Sequence, residues 1–304
     1  MKLIILSPNL HLIFSEEQKK FLEWEFDVEY FTVSAEIQSI DSLQSSEEKI
    51  VSIDPDFCSW KVTRDDIDFM RNVKAICLPT TAFHYIDTAY LQEKNIPVTN
   101  LRWFSTNAVA EQALAILFSL ARKFPMVIRD WFQINFEKYR GIELSGKKVG
   151  IIWLGRIGKR IAELTQALGM QVSYWSKESR DTRFSYTSLE SLLKDSDVVF
   201  YALAKNNETQ DLLTDERIAL LKVTSIVISI AHIDHVKFIS LAESGKIWWY
   251  GCDDPIGKLE DFHSNIMPWA ELWWCTSECF QRNGDQWIEA IMDAKNNEFK
   301  NQVN

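Results

Sequence analysis

Short apolar bursts and stretches with apolar residues at helical spacing alternate along most of the chain. Leu3 to Leu6 reads as a strand, Ser15 to Phe26 as a helix with Ser15 as its N-cap, and Val28 to Val33 as the next strand. Lys49 to Ile53 gives a third strand, Thr63 to Arg71 a helix, and Ala75 to Leu78 a fourth strand that runs into the loop Pro79–His84. Tyr85 to Lys94 is helical in pattern, and Pro97 to Asn100 closes the series as a strand. Such alternation predicts a small doubly wound domain with a parallel sheet. Its ligand is expected beyond the carboxyl ends of the strands, where residues 79–84 lie.

The alternation resumes after a long helix, Asn107 to Lys123, which carries Ala110, Leu114, Leu117, Phe118 and Ala121 on one face, with Ser105 or Thr106 as its cap. Val149 to Leu154 is a β-branched apolar run, Gly155 and Gly158 mark a turn, Arg156 to Leu168 is helical, and Met170 to Trp175 is a strand. Strand, glycine turn, helix and strand form the first unit of a dinucleotide-binding fold, in which a pyrophosphate rests on the N–H groups and positive dipole end of the helix. Gly155 and Gly158 fill the second and third glycine positions of the fingerprint, with Arg156 and Ile157 between them, but Trp153 stands in the first. The competing reading is an ordinary strand–helix unit with no ligand. Downstream the pattern gives strand Val198–Leu203, helix Thr214–Leu221, strand Ser225–Ile230, helix Val236–Glu243 closed by Gly245, strand Trp248–Gly251, and a last helix Asp285–Lys300 expected to return to the first domain.

At 304 residues and 46% hydrophobic, the chain is long enough for two cores. A net charge of −10 argues against nucleic acid or an anionic membrane surface as partner. The five cysteines are odd in number and scattered, with no C-x-x-C pair; they read as reduced thiols of a cytoplasmic protein without a zinc or other metal site. No run approaches the ~20 apolar residues that a membrane helix needs, and the opening MKLIILSPNLHLIF reads as a strand rather than a signal peptide.

Several stretches together resemble one family: LSGKKVGIIWLGRIGKRIAE, NAVAEQALAILFSLAR and KNIPVTNL upstream, and SDVVFYALAKNNETQDLLTDERIALLK and LAESGKI downstream. They look like the D-isomer-specific 2-hydroxyacid dehydrogenases, over roughly Ala75 to Ile247. The resemblance implies two doubly wound Rossmann-like domains with parallel sheets: a flavodoxin-like substrate domain from residues 1–100 and 277–304, and an inserted dinucleotide-binding domain from 101–276. It also implies a nicotinamide cofactor, a small 2-oxo or 2-hydroxy acid as substrate, and a homodimer through the central domain, for which the aromatics between Trp131 and Tyr139 would serve; burial inside one subunit explains them about as well.

Applied residue by residue, the resemblance leaves the chemistry displaced. The family's substrate-binding arginine falls on His232 or Ser229, its glutamate before proline on Asp254, and its histidine on Ser277 or Glu278. His84 and Tyr85, on the first-domain loop, and Glu278 are the alternative acid–base candidates; a solvated loop histidine and a first-turn helix acid are the plainer readings. Thr80, Thr81, Ala82 and Phe83 match the loop whose N–H groups face a substrate carboxylate, and Asp253 is grouped with the cofactor-binding residues. Where NAD-specific members place an acid for the ribose hydroxyls, this chain has Ser176, followed by Lys177 and Arg180, so NADP(H) is expected over NAD(H). Trp248, Trp249, Trp269, Trp273 and Trp274 are either a stacking surface or core. Three functions follow: an oxidoreductase with a non-standard acid–base set, a homologue that has lost hydride transfer and serves as a binding or regulatory subunit, or a cleft repurposed for another reaction.

Overall fold

The structure, a computed structural model, describes residues 1–203, 209, 212–231 and 233–304. It divides into two compact units, residues 1–105 with 275–304, and residues 106–274. In chain order the first unit contains β1 (Lys2–Leu6), α1 (Leu10–Ile13), α2 (Glu16–Glu25), β2 (Asp27–Phe31), β3 (Lys49–Ile53), α3 (Arg64–Phe69), β4 (Val73–Cys77), α4 (Thr88–Glu93) and β5 (Val98–Thr99). The second contains α5 (Thr106–Ala121), α6 (Phe124–Arg129), β6 (Lys148–Ile152), α7 (Arg156–Ala167), β7 (Gln171–Trp175), β8 (Ser185–Tyr186), α8 (Leu189–Asp195), β9 (Val198–Tyr201), α9 (Asp215–Ile218), β10 (Ile226–Ser229), α10 (His235–Glu243), β11 (Trp249–Cys252) and β12 (Asn265–Met267). A final helix, α11 (Ser277–Lys295), belongs to the first unit.

Both sheets are parallel. The first runs β2-β1-β3-β4-β5, the flavodoxin-like order, and the second β12-β11-β10-β9-β6-β7-β8, in which β8-β7-β6-β9-β10-β11 follow the Rossmann order and β12 adds a seventh strand at one edge. The strand order reverses between β1 and β3 in one unit and between β6 and β9 in the other. Ligands of such sheets sit at the carboxyl ends of those strands. The central strands are buried on both faces, as a parallel sheet covered by helices requires: β3 is buried at all five positions, and β9 and β10 at all four of each. Helix α5 is buried along Ala113, Ile116, Leu117 and Leu120, and packs against α7, β10, β11 and β12. No described helix is long and apolar enough to cross a membrane.

Several boundaries differ from the periodicity reading, each for a local reason. Helix α4 starts at Thr88 instead of Tyr85, because Asp87 caps it by accepting from the Tyr90 N–H, while Ile86 makes a β-bridge to Val62. Helix α10 starts at His235, because the Asp234 side chain accepts from the Lys237 N–H. The largest shift is in α11, which begins at Ser277, capped by Thr276, instead of at Asp285. Gly284 lies inside it: a Cβ there would stand 2.5 Å from the carbonyl oxygen of Ile13, so this glycine permits close packing and does not mark a helix end. The short elements α1, α6, α8, β8 and β12 carry too few residues for a period to register.

Candidate functional site

In the second unit, β6 delivers the chain into the glycine turn. Trp153 follows the strand at φ 80°, in the left-handed region that the first glycine of the fingerprint normally takes. Its N–H donates to the Trp175 carbonyl (2.7 Å), and its indole packs 6.3 Å from the Trp175 ring beside a cluster that includes Leu189 and Tyr201. Gly155 is the N-cap of α7, and no side chain caps that end of the helix. A Cβ on Gly155 would stand 3.4 Å from Cδ1 of Trp153, so the indole edge lies over the helix start. A Cβ on Gly158 would stand 2.2 Å from the Trp153 carbonyl oxygen, the close helix–strand approach that the third glycine serves in a dinucleotide turn. Arg156 is exposed and Ile157 packs on the core. The first N–H groups of α7 have no partner within their own helix. They point where an anion is held in this fold.

At the end of β7, Ser176 is buried and its hydroxyl has no hydrogen-bond partner in the protein. Lys177 is exposed. Arg180 donates to the carbonyls of Ser176 (2.9 Å) and Ser179 (2.8 Å) and lies 4.0 Å over the Tyr186 ring, which holds its guanidinium beside the serine. A polar atom buried without a partner, next to a fixed cation and an open helix start, fits the ribose-phosphate end of a dinucleotide.

Residues 114–255 match the sequence profile of the family described as D-isomer specific 2-hydroxyacid dehydrogenase, NAD binding domain. A protein of Staphylococcus epidermidis named as a 2-hydroxyacid dehydrogenase is 32% identical over 199 residues, covering 61% of this chain and 62% of that one. Glyoxylate reductase of Pyrococcus furiosus is 29% identical over 251 residues, 76% of this chain and 74% of the relative. Residues 114–255 belong to the D-isomer-specific 2-hydroxyacid dehydrogenase family, as its NAD-binding domain. The chain spans about three fifths of the length of its staphylococcal relatives. An acyclic imino acid reductase, solved in complex with NADPH and D-Arg, shares the fold at a TM-score of 0.84 and 23% identity, over the whole of both chains.

In this chain, the residues at the family's chemical positions are committed elsewhere. Ser229 is fully buried; its hydroxyl donates to the Ala231 carbonyl (2.7 Å) and accepts from the Ala231 N–H (3.3 Å), which removes it as a substrate anchor. His232 lies outside the described residues. Asp253 is buried and accepts from the Leu272 N–H (3.2 Å), with burial pushing its carboxyl above the usual range; its second oxygen has no hydrogen bond from the protein. Asp254 turns toward His235, whose Nε2 is 2.9 Å from Oδ2. His235 and its neighbours Tyr250 and Cys252 drew no notice from the sequence as a group, since the histidine opens α10 and the other two lie on β11, at spacings that match no motif.

In the first unit, Glu278 is an exposed acid in the first turn of α11, and Ser277 beside it is exposed. His84 is exposed and stacks on Trp60 (centroids 5.7 Å apart), and Tyr85 is buried with its hydroxyl on the Ile53 carbonyl (2.8 Å). The loop is braced: the Thr80 hydroxyl donates to the Ala82 carbonyl, the Thr81 carbonyl accepts from Asn100, and the Phe83 carbonyl accepts from the Ile86 N–H. At the strand-order reversal of this unit lies a pair that strand counting alone could have flagged: buried Asp54, just past β3, accepts from Ser7, just past β1, at 2.6 Å. Burial pushes the Asp54 carboxyl up, and hydrogen bonds from Ser7 and the Asp56 N–H only partly offset this. The tryptophans divide: Trp249 is core and half-buried Trp269 packs against the same cluster, whereas Trp248, stacked on Trp249 at 5.1 Å, and Trp274 are exposed.

Proposed function

We propose that this chain is an NADP(H)-binding, oxidoreductase-like member of its family that works on a small 2-oxo or 2-hydroxy acid, or the corresponding imine, with a non-standard acid–base set. The observation that carries the reading is the end of β7: a buried, unpartnered Ser176 hydroxyl where NAD-specific members place an acid, with Lys177 and Arg180 beside it. The turn from Trp153 through Gly155, Arg156, Ile157 and Gly158 would hold the pyrophosphate by its backbone, with the Trp153 indole narrowing the approach, and Asp253, with one unbonded oxygen, is a candidate partner for the remainder of the cofactor. When bound, the nicotinamide supplies or takes up the hydride.

The proton is the harder requirement. A keto acid needs a donor for its forming alkoxide and a cation for its carboxylate, roles for which His84, Asp254, His232 and Glu278 are the available candidates. An iminium substrate carries its own proton and needs no donor as the hydride arrives, so the loss of the family's histidine favours that class. The fold neighbour that reduces imino acids supports the same choice. The exposed Trp131, Phe132, Ile134 and Phe136 support a homodimer, and the five free thiols support a cytoplasmic setting.

Titration calorimetry is expected to show NADPH bound about 1–3 kcal/mol more tightly than NADH, the scale of one charge-assisted phosphate contact. Glyoxylate, pyruvate and hydroxypyruvate should be turned over far below the enzyme median of ~10 per second, followed by loss of reduced-nicotinamide absorbance; adding ammonium, which forms the imines, should raise the rate. NADH binding as tightly as NADPH overturns the cofactor assignment. NADPH binding with no turnover of acids or imines means that hydride transfer has been lost.

A further inference from the structure

Away from the glycine turn, the second unit gathers three ligand-bearing side chains of different chemistry in one small space. Tyr250 and Cys252 alternate along β11 and so share a face, Asp254 follows two residues later, and His235 opens α10, which packs over that strand. The His235 ring nitrogen, the Cys252 sulfur and an Asp254 carboxylate oxygen all lie within 4.8 Å of one another. The pocket is almost closed, with Cys252 and Tyr250 fully buried and Asp254 nearly so. Apolar residues Phe238, Ile266 and Val227 surround it.

We propose that His235, Cys252 and Asp254 form a zinc site, with Tyr250 orienting the imidazole. The His235–Asp254 contact is the first reason. Nε2 is buried without a hydrogen-bond partner although Oδ2 lies 2.9 Å away, so the pair is close yet not aligned as an imidazolium–carboxylate hydrogen bond. Ligand atoms gathered this closely with no hydrogen bond on Nε2 leave that nitrogen open to a metal ion. The second reason is the other ring nitrogen: Nδ1 is 2.6 Å from the Tyr250 hydroxyl, an outer partner whose oxygen can accept from Nδ1–H, the tautomer in which Nε2 keeps its lone pair for a metal. The third is the donor set. Imidazole, thiolate and carboxylate together select zinc over calcium or magnesium, which prefer oxygen alone. Ligand atoms around tetrahedral zinc stand about 3.5 Å apart, so the widest pair must close by roughly 1 Å. Three protein ligands leave a fourth position for water.

The test uses the full chain, stripped with chelator and reloaded with cobalt(II), whose thiolate bond gives a charge-transfer absorption. One cobalt per chain with that band, displaced by zinc, is expected. Cys252→Ser should abolish the band and Cys275→Ser leave it; Tyr250→Phe, which keeps every ligand, should weaken binding about 10–100-fold. Circular dichroism of each variant separates a lost site from a lost fold, and if Cys252→Ser does not fold, Tyr250→Phe decides. A folded wild type with no band, a band that survives Cys252→Ser, or unchanged affinity in Tyr250→Phe overturns the proposal. Neither calorimetry with NADPH nor any turnover assay bears on this outcome, so it stands or falls apart from the proposed activity.

Discussion

A tryptophan at φ 80° pays a backbone cost of roughly 1–2 kcal/mol that glycine would not, and its indole edge covers the start of α7. Trp153→Gly should therefore bind NADPH more tightly, since the indole no longer covers the helix start, while relief of the strain stabilises free and bound protein alike. Calorimetry on the variant checks this, and equal affinity would show that the wild-type turn already admits the pyrophosphate. Asp54 makes a different kind of statement. Burial holds its folded-state carboxyl protonated to a higher pH than the ~3.9 of an unfolded chain. Between those two values the folded protein binds more protons than the unfolded one, so stability falls as pH rises through that window. Asp54→Asn removes the titration. Its stability relative to wild type should thus improve from about pH 4 upward, measured by urea unfolding across pH; a constant difference at every pH would mean that the Ser7 hydrogen bond, not the charge, dominates.

At the scale of elements, Gly284 sets helix propensity against packing. Alanine inside a helix ordinarily gains about 1 kcal/mol over glycine, but here its Cβ would press on the backbone oxygen of Ile13. Backbone cannot yield as a flexible side chain does. Gly284→Ala is expected to destabilise the protein by about 1–3 kcal/mol, read from denaturant midpoints, and a stabilised variant would show that the α1 segment moves freely. The same glycine explains where the sequence misled: a break in a helical pattern looks alike whether it ends a helix or admits a neighbour. The β6–turn–α7–β7 unit was legible because its glycines, period and spacing agree. His235, Tyr250 and Cys252 were not, because each is ordinary in its own element and only the packing of α10 over β11 brings the histidine to the other two.

For the whole molecule, the alternation of periods sufficed to foresee two parallel sheets, since helices on both faces leave few other arrangements. Exposure was not foreseeable in the same way. Aromatics of the 131–139 segment suited core and interface equally in sequence, yet Trp131 is 87% and Phe136 88% exposed, an uncommon loss for a protein that stays single. The double substitution Trp131→Glu with Phe136→Glu is expected to halve the mass seen by light scattering without loss of helical content; a wild type already monomeric would remove the argument. The division of the first unit between two distant stretches also fixes an order of events at the ribosome. Trp287 is fully buried against Phe14, with its indole on Ser52, and Asn304 bonds to the backbone of Val98 and Ile96. The central unit can therefore mature as it emerges, while the strands made first wait for the helix made last. Until then the edge of β5 and the face beneath α11 are open to chaperones or to neighbours, and quenching or blue shift of Trp287 would time the moment they close.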